Sequence, residues 1–347
     1  ETMDLPKLPR SFFHRRGEAL ESAVQLLQAN DPSSTSARII VYDDPIGDEG
    51  ATKIANALRD SKFITSLTLD LRNCRIGDDG AIALGDAIRA NEVLTTLKLD
   101  LCYNKIVEIG ATQLAAALRD NKAIVSLDLR LGGNGIGSTG AEAMAGIIRH
   151  NKVITELTLD INKNRIGDKG LVFISEALQD TATLSKLDFF AQWNQIGNEG
   201  ATALASALRV NSSIKVLDID LDHDYVADPG MCALADAFGE NQVITHLVFH
   251  VNGNELSDES VMALGSALCK NCTLVEFQFH AKKNQIGDKG ATILLEEIKK
   301  NQSLGSFTIL LEDNEISAAV LEQLYKVGVS INERSEHLSL TKRATSS

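Results

Sequence analysis

The chain has 347 residues, with 34 Lys and Arg against 47 Asp and Glu, so its formal net charge is −13. That balance argues against a nucleic-acid or anionic-membrane surface, because counterion release at phosphates requires clustered positive charge. Apolar residues make up 44% of the chain, and no apolar run approaches the roughly 20 residues that span a bilayer, so an ordinary globular protein is expected.

In chain order, the first ten residues, ETMDLPKLPR, contain no apolar core of a signal peptide. Residues 1–45 read as an N-terminal cap. An amphipathic helix is expected over 15–30 (RRGEALESAVQLLQAN), and the strand-like Ala37-Arg38-Ile39-Ile40-Val41 forms a degenerate first repeat. From 46 to 316 the chain repeats itself at an interval of thirty. Gly50, Gly80, Gly110, Gly140, Gly170, Gly200, Gly230 and Gly290 mark the beat, with Ser260 filling the one gap. Leu67, Leu97, Leu127, Leu157, Leu187, Leu217, Leu247, Phe277 and Phe307 keep the same interval.

Each unit has two halves. Leu67-Thr68-Leu69-Asp70-Leu71 alternates as a strand with one buried face, whereas Ala81, Leu84, Ala87 and Ile88 form a helical stripe. Asp78 and its equivalents Asp48, Asp168, Asp228, Asp258 and Asp288 are expected to N-cap their own helices. Asn91, Asn121, Asn151, Asn211, Asn241, Asn271 and Asn301 follow the helices, where a residue tolerant of left-handed backbone would end them. Gly77, Gly137, Gly167, Gly197 and Gly287 are expected to supply backbone freedom at the bend. After Ile316, residues 317–335 read as a C-terminal helical cap and 336–347 as a polar, disordered tail. Without a linker or composition break, the repeats are expected to form one solenoid domain.

The run Leu94-x-x-Leu97-x-Leu99-x-Leu101-x-x-Asn104-x-Ile106 resembles the leucine-rich repeat, in its ribonuclease-inhibitor-like class but with a thirty-residue unit. The resemblance covers roughly residues 37 to 316. It implies an α/β leucine-rich-repeat solenoid, a horseshoe with a parallel β-sheet on its concave face and α-helices on its convex face. Asn104, Asn134, Asn164, Asn194, Asn254, Asn284 and Asn314 should then turn inward and satisfy backbone groups in the bend, with Cys74 replacing one of them.

If Leu67, Leu69 and Leu71 point in, their neighbours face the hollow. Asp70, Asp100, Asp128, Asp160, Asp188, Asp218, Asp220 and Asp222 fall there as an acidic stripe, interrupted by Arg72, Lys98, Arg130 and Lys186. Two readings compete: carboxylates neutralised by local cations, or a docking strip for a basic partner. Phe190, Trp193 and Tyr225 have no core duty in this pattern and read as interface anchors, with Tyr103 a weaker member. His223 occupies the Trp193 position one repeat on, and His250 and His280 share a position in later repeats. Metal binding at these histidines is the lesser reading; solvated imidazoles, or an edge sensitive to pH, are the alternatives. Asp218-x-Asp220-x-Asp222 lies on a strand and lacks the glycine and terminal glutamate of an EF-hand.

Five sparse cysteines suit a reducing compartment, and Cys269-Lys270-Asn271-Cys272 lacks the second pair that zinc would need. No nucleotide, nucleophile or metalloprotease motif is present in the chain. The expectation is therefore a monomeric, non-enzymatic scaffold without cofactor, metal or catalytic residue. It would grip a basic protein in the hollow as an inhibitor or adaptor. The proposed contact set is Phe190, Trp193, Tyr225, Asp160, Asp188, Asp218, Asp220, Asp222, His223, Arg130, Tyr103 and His250. A cytoplasmic setting is expected, or secretion by a microbe into a host cytoplasm. Two alternatives stay open: a GTPase-activating protein of the Ran-activator type, which the resemblance suggests, and a ligand-sensing module of a larger receptor or microbial effector.

Overall fold

The computed structural model describes residues 3–4 and 18–327. The chain divides into two compact units, Glu1–Arg165 and Ile166–Ser347. The first runs β1 (Met3–Asp4), α1 (Glu18–Gln28), β2 (Ser36–Ile40), α2 (Gly47–Asp60), β3 (Ser66–Asp70), α3 (Asp78–Ala90), β4 (Thr96–Asp100), α4 (Glu108–Asp120), β5 (Ser126–Arg130), α5 (Gly137–His150) and β6 (Glu156–Asp160). The second runs α6 (Gly167–Asp180), β7 (Lys186–Phe190), α7 (Asn198–Val210), β8 (Val216–Asp220), α8 (Asp228–Glu240), β9 (His246–His250), α9 (Asp258–Lys270), β10 (Glu276–His280), α10 (Asp288–Lys300), β11 (Ser306–Leu310) and α11 (Ala318–Val327). The expected tail over 336–347, the closing helix past Val327 and the start of the 15–30 helix lie outside the described residues.

Within each unit the strands pair in parallel without slippage. Leu67 lies opposite Leu97, Leu97 opposite Leu127 and Leu127 opposite Leu157. In the second unit Leu187, Leu217, Leu247, Phe277 and Phe307 form the same row. A parallel pair needs a crossover, and each helix supplies one over the apolar sheet face. Leu97 and Leu99 are sealed inside, and Lys98 between them is part-exposed. One stripe of α3, including Ala81, Leu84, Ala87 and Ile88, is buried against this row. Around β9 the core turns aromatic: Phe249 meets Phe238 edge-on at 5.3 Å between ring centres. No helix among the described residues is long and apolar enough to cross a membrane.

Three local expectations are corrected. The helix-start aspartates cap the next repeat's helix, not their own. Asp48 Oδ1 accepts from the Gly77 and Gly80 amides, and Asp168 Oδ1 from those of Gly197 and Gly200. These are the N-cap and third-residue amides of the following helix, two donors that the helix itself cannot satisfy. This contact also accounts for the glycine at 80, 110, 200 and 290, whereas at 50 and 140 an added Cβ would first meet Ile46 and Ile136. A Cβ at Gly200 would stand 2.8 Å from Asp168 Oδ1, and one at Gly110 2.5 Å from Asp78 Oδ1. Where Ser260 breaks the beat, its hydroxyl donates to Asp228 Oδ1 instead.

The asparagines after the helices are extended, not left-handed; Asn91 has φ −85° and ψ 117°. They are buried and form a ladder. Asn91 Oδ1 accepts from Val93 and Leu94, and its Nδ2 donates to the Leu58 and Ser61 carbonyls of the preceding repeat. The amide, with two donors and an acceptor, ties repeats together where water is excluded. Third, only some of the bend glycines need their freedom: Gly137 and Gly167 lie in the left-handed region, while Gly77, Gly197 and Gly287 are extended.

The inward asparagine ladder in the bend forms as expected. Asn104 Oδ1 accepts from the Cys74 and Ile76 amides, and its Nδ2 donates to the Leu71 and Leu101 carbonyls.

Candidate functional site

The second unit carries most of the candidate residues. Its repeats place a side chain three residues past each strand, on the loop leading to the helix. That position is left-handed throughout: Trp193 has φ 61°, His223 φ 55° and Lys283 φ 53°, with glycine at 253. Left-handed backbone costs a non-glycine residue about 1–2 kcal/mol, so glycine is the low-cost choice there. A tryptophan is not. The Trp193 indole stacks on the His223 imidazole, 4.3 Å between centres and 22° between planes. The His223 ring in turn fills the space over Gly253, where a Cβ would meet its Nδ1 at 2.4 Å. Trp193 remains 51% exposed and Tyr225 63%. Phe190 is half-buried at the end of β7.

Beside this aromatic row, β8 and its loop present Asp218, Asp220 and Asp222. Asp220 Oδ1 accepts the Asp222 amide, and Asp222 accepts the main-chain and side-chain amides of Asn252 at 2.6 and 2.7 Å. Among the described residues neither Asp220 nor Asp222 has an ion pair. The Lys186 ammonium sits 3.1 Å from Asp188 instead. Burial, and then the neighbouring Asp188 charge, pushes the Asp218 carboxyl up to about 6. Burial, and then Asp222, pushes Asp220 up to about 7. Both shifts record burial first and neighbouring carboxylate charge second, opposed by the Lys186 charge at Asp218.

The two histidines on β9 and β10 pair with each other. His250 Nδ1 and His280 Nδ1 lie 2.9 Å apart, and His250 Nε2 is 3.6 Å from Asp218 Oδ1. Burial lowers both imidazoles to about 4, with the neighbouring His250 a further cause at His280. Neither ring therefore supplies a cation at neutral pH. Among the described residues no group of three or more His, Cys, Asp or Glu side chains is arranged to hold a metal ion.

The first unit is built differently, and Tyr103, Arg130 and Asp160 belong to it. There Asp70 and Asp128 of the acidic row are neutralised. Arg72 forks onto Asp70 at 2.9 and 2.6 Å, while Asp128 receives Arg130 at 2.8 Å and Lys98 at 2.5 Å. Asp160 accepts from Asn162, and burial raises its carboxyl. Tyr103 is 54% exposed, its ring covering Gly133 as His223 covers Gly253. The neutralised-stripe reading thus describes Asp70 and Asp128 in the first unit and Asp188 in the second, whereas Asp160, Asp220 and Asp222 are held by amides. Cys269 and Cys272 stay unbridged at the end of an ordinary helix.

Two participants escaped the sequence reading. Asn252 joins the Asp222 carboxylate to the next repeat, its Oδ1 accepting from the Lys282 amide. Asp224 stands where the bend ladder from 104 to 314 otherwise holds asparagine. The interval from Asn104 to Asn314 skips 224, so its signal was present in the register.

A family profile described as "Leucine Rich repeat" matches residues 64–85, 127–145, 157–175 and 183–205. It does not distinguish the ribonuclease-inhibitor-like class. No curated protein matches the chain. Among similar solved structures is that of leiomodin-1 actin-binding site 2, at 20% identity, covering 55% of this chain and 88% of that one with a TM-score of 0.34. Another is the complex of Rad7 and Elc1 in yeast, at 14% identity, covering 87% of this chain and 75% of that one with a TM-score of 0.43. The profile matches fall on the strand, bend and helix whose asparagine and leucine ladders are described above, and on this ground the matched segments are leucine-rich repeats.

Proposed function

We propose that the protein is a non-catalytic scaffold that binds a cationic protein segment on the outward sheet face and loop edge of its second unit. Leucine-rich-repeat proteins generally act as binding scaffolds, and a wide open sheet of parallel strands suits an extended protein partner. The observation that carries the finer reading is the contrast between paired and unpaired carboxylates. Asp70 and Asp128 have guanidinium or ammonium partners, whereas Asp220 and Asp222 have amides alone and stand beside the Trp193–His223 stack. Arginine suits such a place, since its guanidinium stacks on aromatic faces and forks onto carboxylates. Occlusion of a partner's active site, or its recruitment, would follow from the same grip.

Calorimetric titration with an arginine-rich peptide tests this. Trp193→Gly removes the indole and installs the residue found at 133 and 253, so the fold should keep its stability. Affinity should fall by about 2 kcal/mol, close to thirty-fold. Asp220→Asn with Asp222→Asn should weaken binding comparably and flatten its salt dependence, while Asp70→Asn in the first unit should leave it unchanged. Equal weakening by all three would mean nonspecific attraction to an acidic protein, and the site would be abandoned.

A further inference from the structure

Asp224 is the one carboxyl in the bend ladder of the second unit, where Asn194, Asn254, Asn284 and Asn314 hold the other positions. It is only 4% exposed. Its Oδ1 does what the asparagine oxygen does elsewhere, accepting from the Asn194 and Ile196 amides at 2.8 and 3.0 Å. Its Oδ2 therefore stands where each asparagine places its amide nitrogen. In the neighbouring repeat Asn254 Nδ2 donates to the carbonyl 33 residues earlier, and Asn284 donates also to the carbonyl three residues earlier. For Asp224 those positions are Ala191 and Leu221. Oδ2 is buried and has no hydrogen-bond partner. A carboxylate oxygen cannot donate to a carbonyl, and placing one beside buried carbonyls is unfavourable. A carboxylic acid can donate.

The surroundings reinforce the neutral form. On its own strand and loop Asp224 is accompanied by Asp218, Asp220, Asp222, His223 and Tyr225. The preceding loop, 191–197, carries no titratable side chain; the following loop adds Glu255, and the adjoining helix starts and strand add Glu199, Asp228 and His250. Burial, with the Asp222 charge as a further cause, raises the Asp224 carboxyl to about 7 against the opposing effect of its three amide donors.

The loops that Asp224 joins are those that carry the aromatic row. Trp193 N–H donates to the Asp222 carbonyl and Tyr225 N–H to the Ile196 carbonyl, so the two loops are laced on both sides of Asp224. We propose that Asp224 is a proton-operated latch between these two repeats. In the acid form its O–H donates to the main-chain carbonyls and holds the loops of Trp193, His223 and Tyr225 in place; when the proton passes to water, the latch opens and those loops loosen. The inference does not depend on what occupies the sheet face.

The chain's single tryptophan, Trp193, is the reporter. Its fluorescence in the intact protein should show a transition centred near neutral pH. Asp224→Asn restores the amide of the ladder and should abolish the transition, fixing the signal in its low-pH form. His223→Gln removes the stacked imidazole and should leave the transition in place. Urea unfolding gives a second readout: the stability advantage of Asp224→Asn over the wild type should grow as pH rises from about 4 to about 7 and stay level above. A transition that persists in Asp224→Asn, vanishes in His223→Gln or is missing from the wild type would overturn the latch. A pH-independent stability difference would do the same.

Discussion

Single side chains set how one repeat is joined to the next, and departures from the pattern leave visible marks. The ladder that follows the helices has asparagine at 91, 121, 151, 211, 241, 271 and 301, but Ser61 at its first position in the repeats. Serine is too short to reach both neighbours. The Ser61 hydroxyl is buried without a hydrogen-bond partner, and a small cavity lined by Leu27, Asn30, Asp31, Ser61, Phe63 and Ile64 lies against it. Ser61→Asn should fill that space and accept from the Phe63 and Ile64 amides, as Asn91 accepts from Val93 and Leu94. A gain of about 1 kcal/mol is expected from a restored, buried amide network. Thermal unfolding measures it, and an unchanged or lower midpoint would show that the cavity cannot accept the amide. Both asparagine ladders were legible as intervals of thirty. Their geometry was not: interval alone does not separate a left-handed helix end from an extended residue whose side chain ties two repeats. Partners thirty residues away, such as Ser61 for Asn91, enter only once the strands are stacked.

At the scale of the strand and helix, the leucine period and the helical stripe gave the elements and which face each buries, and the structure agrees on the leucine rows and the helical stripe, with Asp100 of the expected outward stripe buried. What the pattern could not reveal is that the capping is shared between repeats. A local reading assigns Asp168 to the helix it begins; folding brings it instead to the start of the next one. That difference changes the sign of a common expectation. Replacing a helical glycine by alanine normally stabilises by about 1 kcal/mol. At Gly200 the added methyl would meet Asp168 Oδ1 at 2.8 Å and press on Ile196 and Leu171 at 3.2 Å. Gly200→Ala should therefore destabilise by roughly 1–3 kcal/mol. Asp168→Ala, which orphans the Gly197 and Gly200 amides, should cost about 1 kcal/mol. The double variant relieves the clash and has already lost the bond, so its cost should be less than the sum. Urea denaturation of the four proteins closes this cycle, and strict additivity would mean that carboxylate and glycine act independently. The same shared geometry limited the site: the acidic stripe could be read from the sequence, but which carboxylates had acquired cations could not.

Across the whole molecule the uncompensated charge makes stability depend on pH in opposing ways. Asp218 and Asp220 titrate near 6 and 7 in the folded protein, and Asp224 near 7, against 3.8 for an ordinary aspartate. The folded state therefore holds their protons more tightly. Their contribution is greatest at low pH and is lost as pH rises from about 4 to 7. His250 and His280 run the other way. Their folded values near 4 lie below the ordinary 6.5, so the unfolded state takes up protons first and stability is lost as pH falls from about 6.5 to 4. Each group contributes on the order of 1.4 kcal/mol per pH unit while only one state is protonated. The raised carboxyls and the lowered imidazoles thus act in opposite directions over the same pH range, and a variant that removes one set exposes its share of the slope. Replacing Asp218 and Asp220 by Asn removes two groups whose folded state holds protons, so between pH 4 and 6 the slope of stability against pH should turn upward relative to the wild type by about 3 kcal/mol per unit. Chemical denaturation at half-unit pH steps measures both slopes. A double variant whose slope equals that of the wild type would show that the two carboxyls on β8 are not groups whose folded state holds protons, and the reading of them as buried and uncompensated would lose its basis.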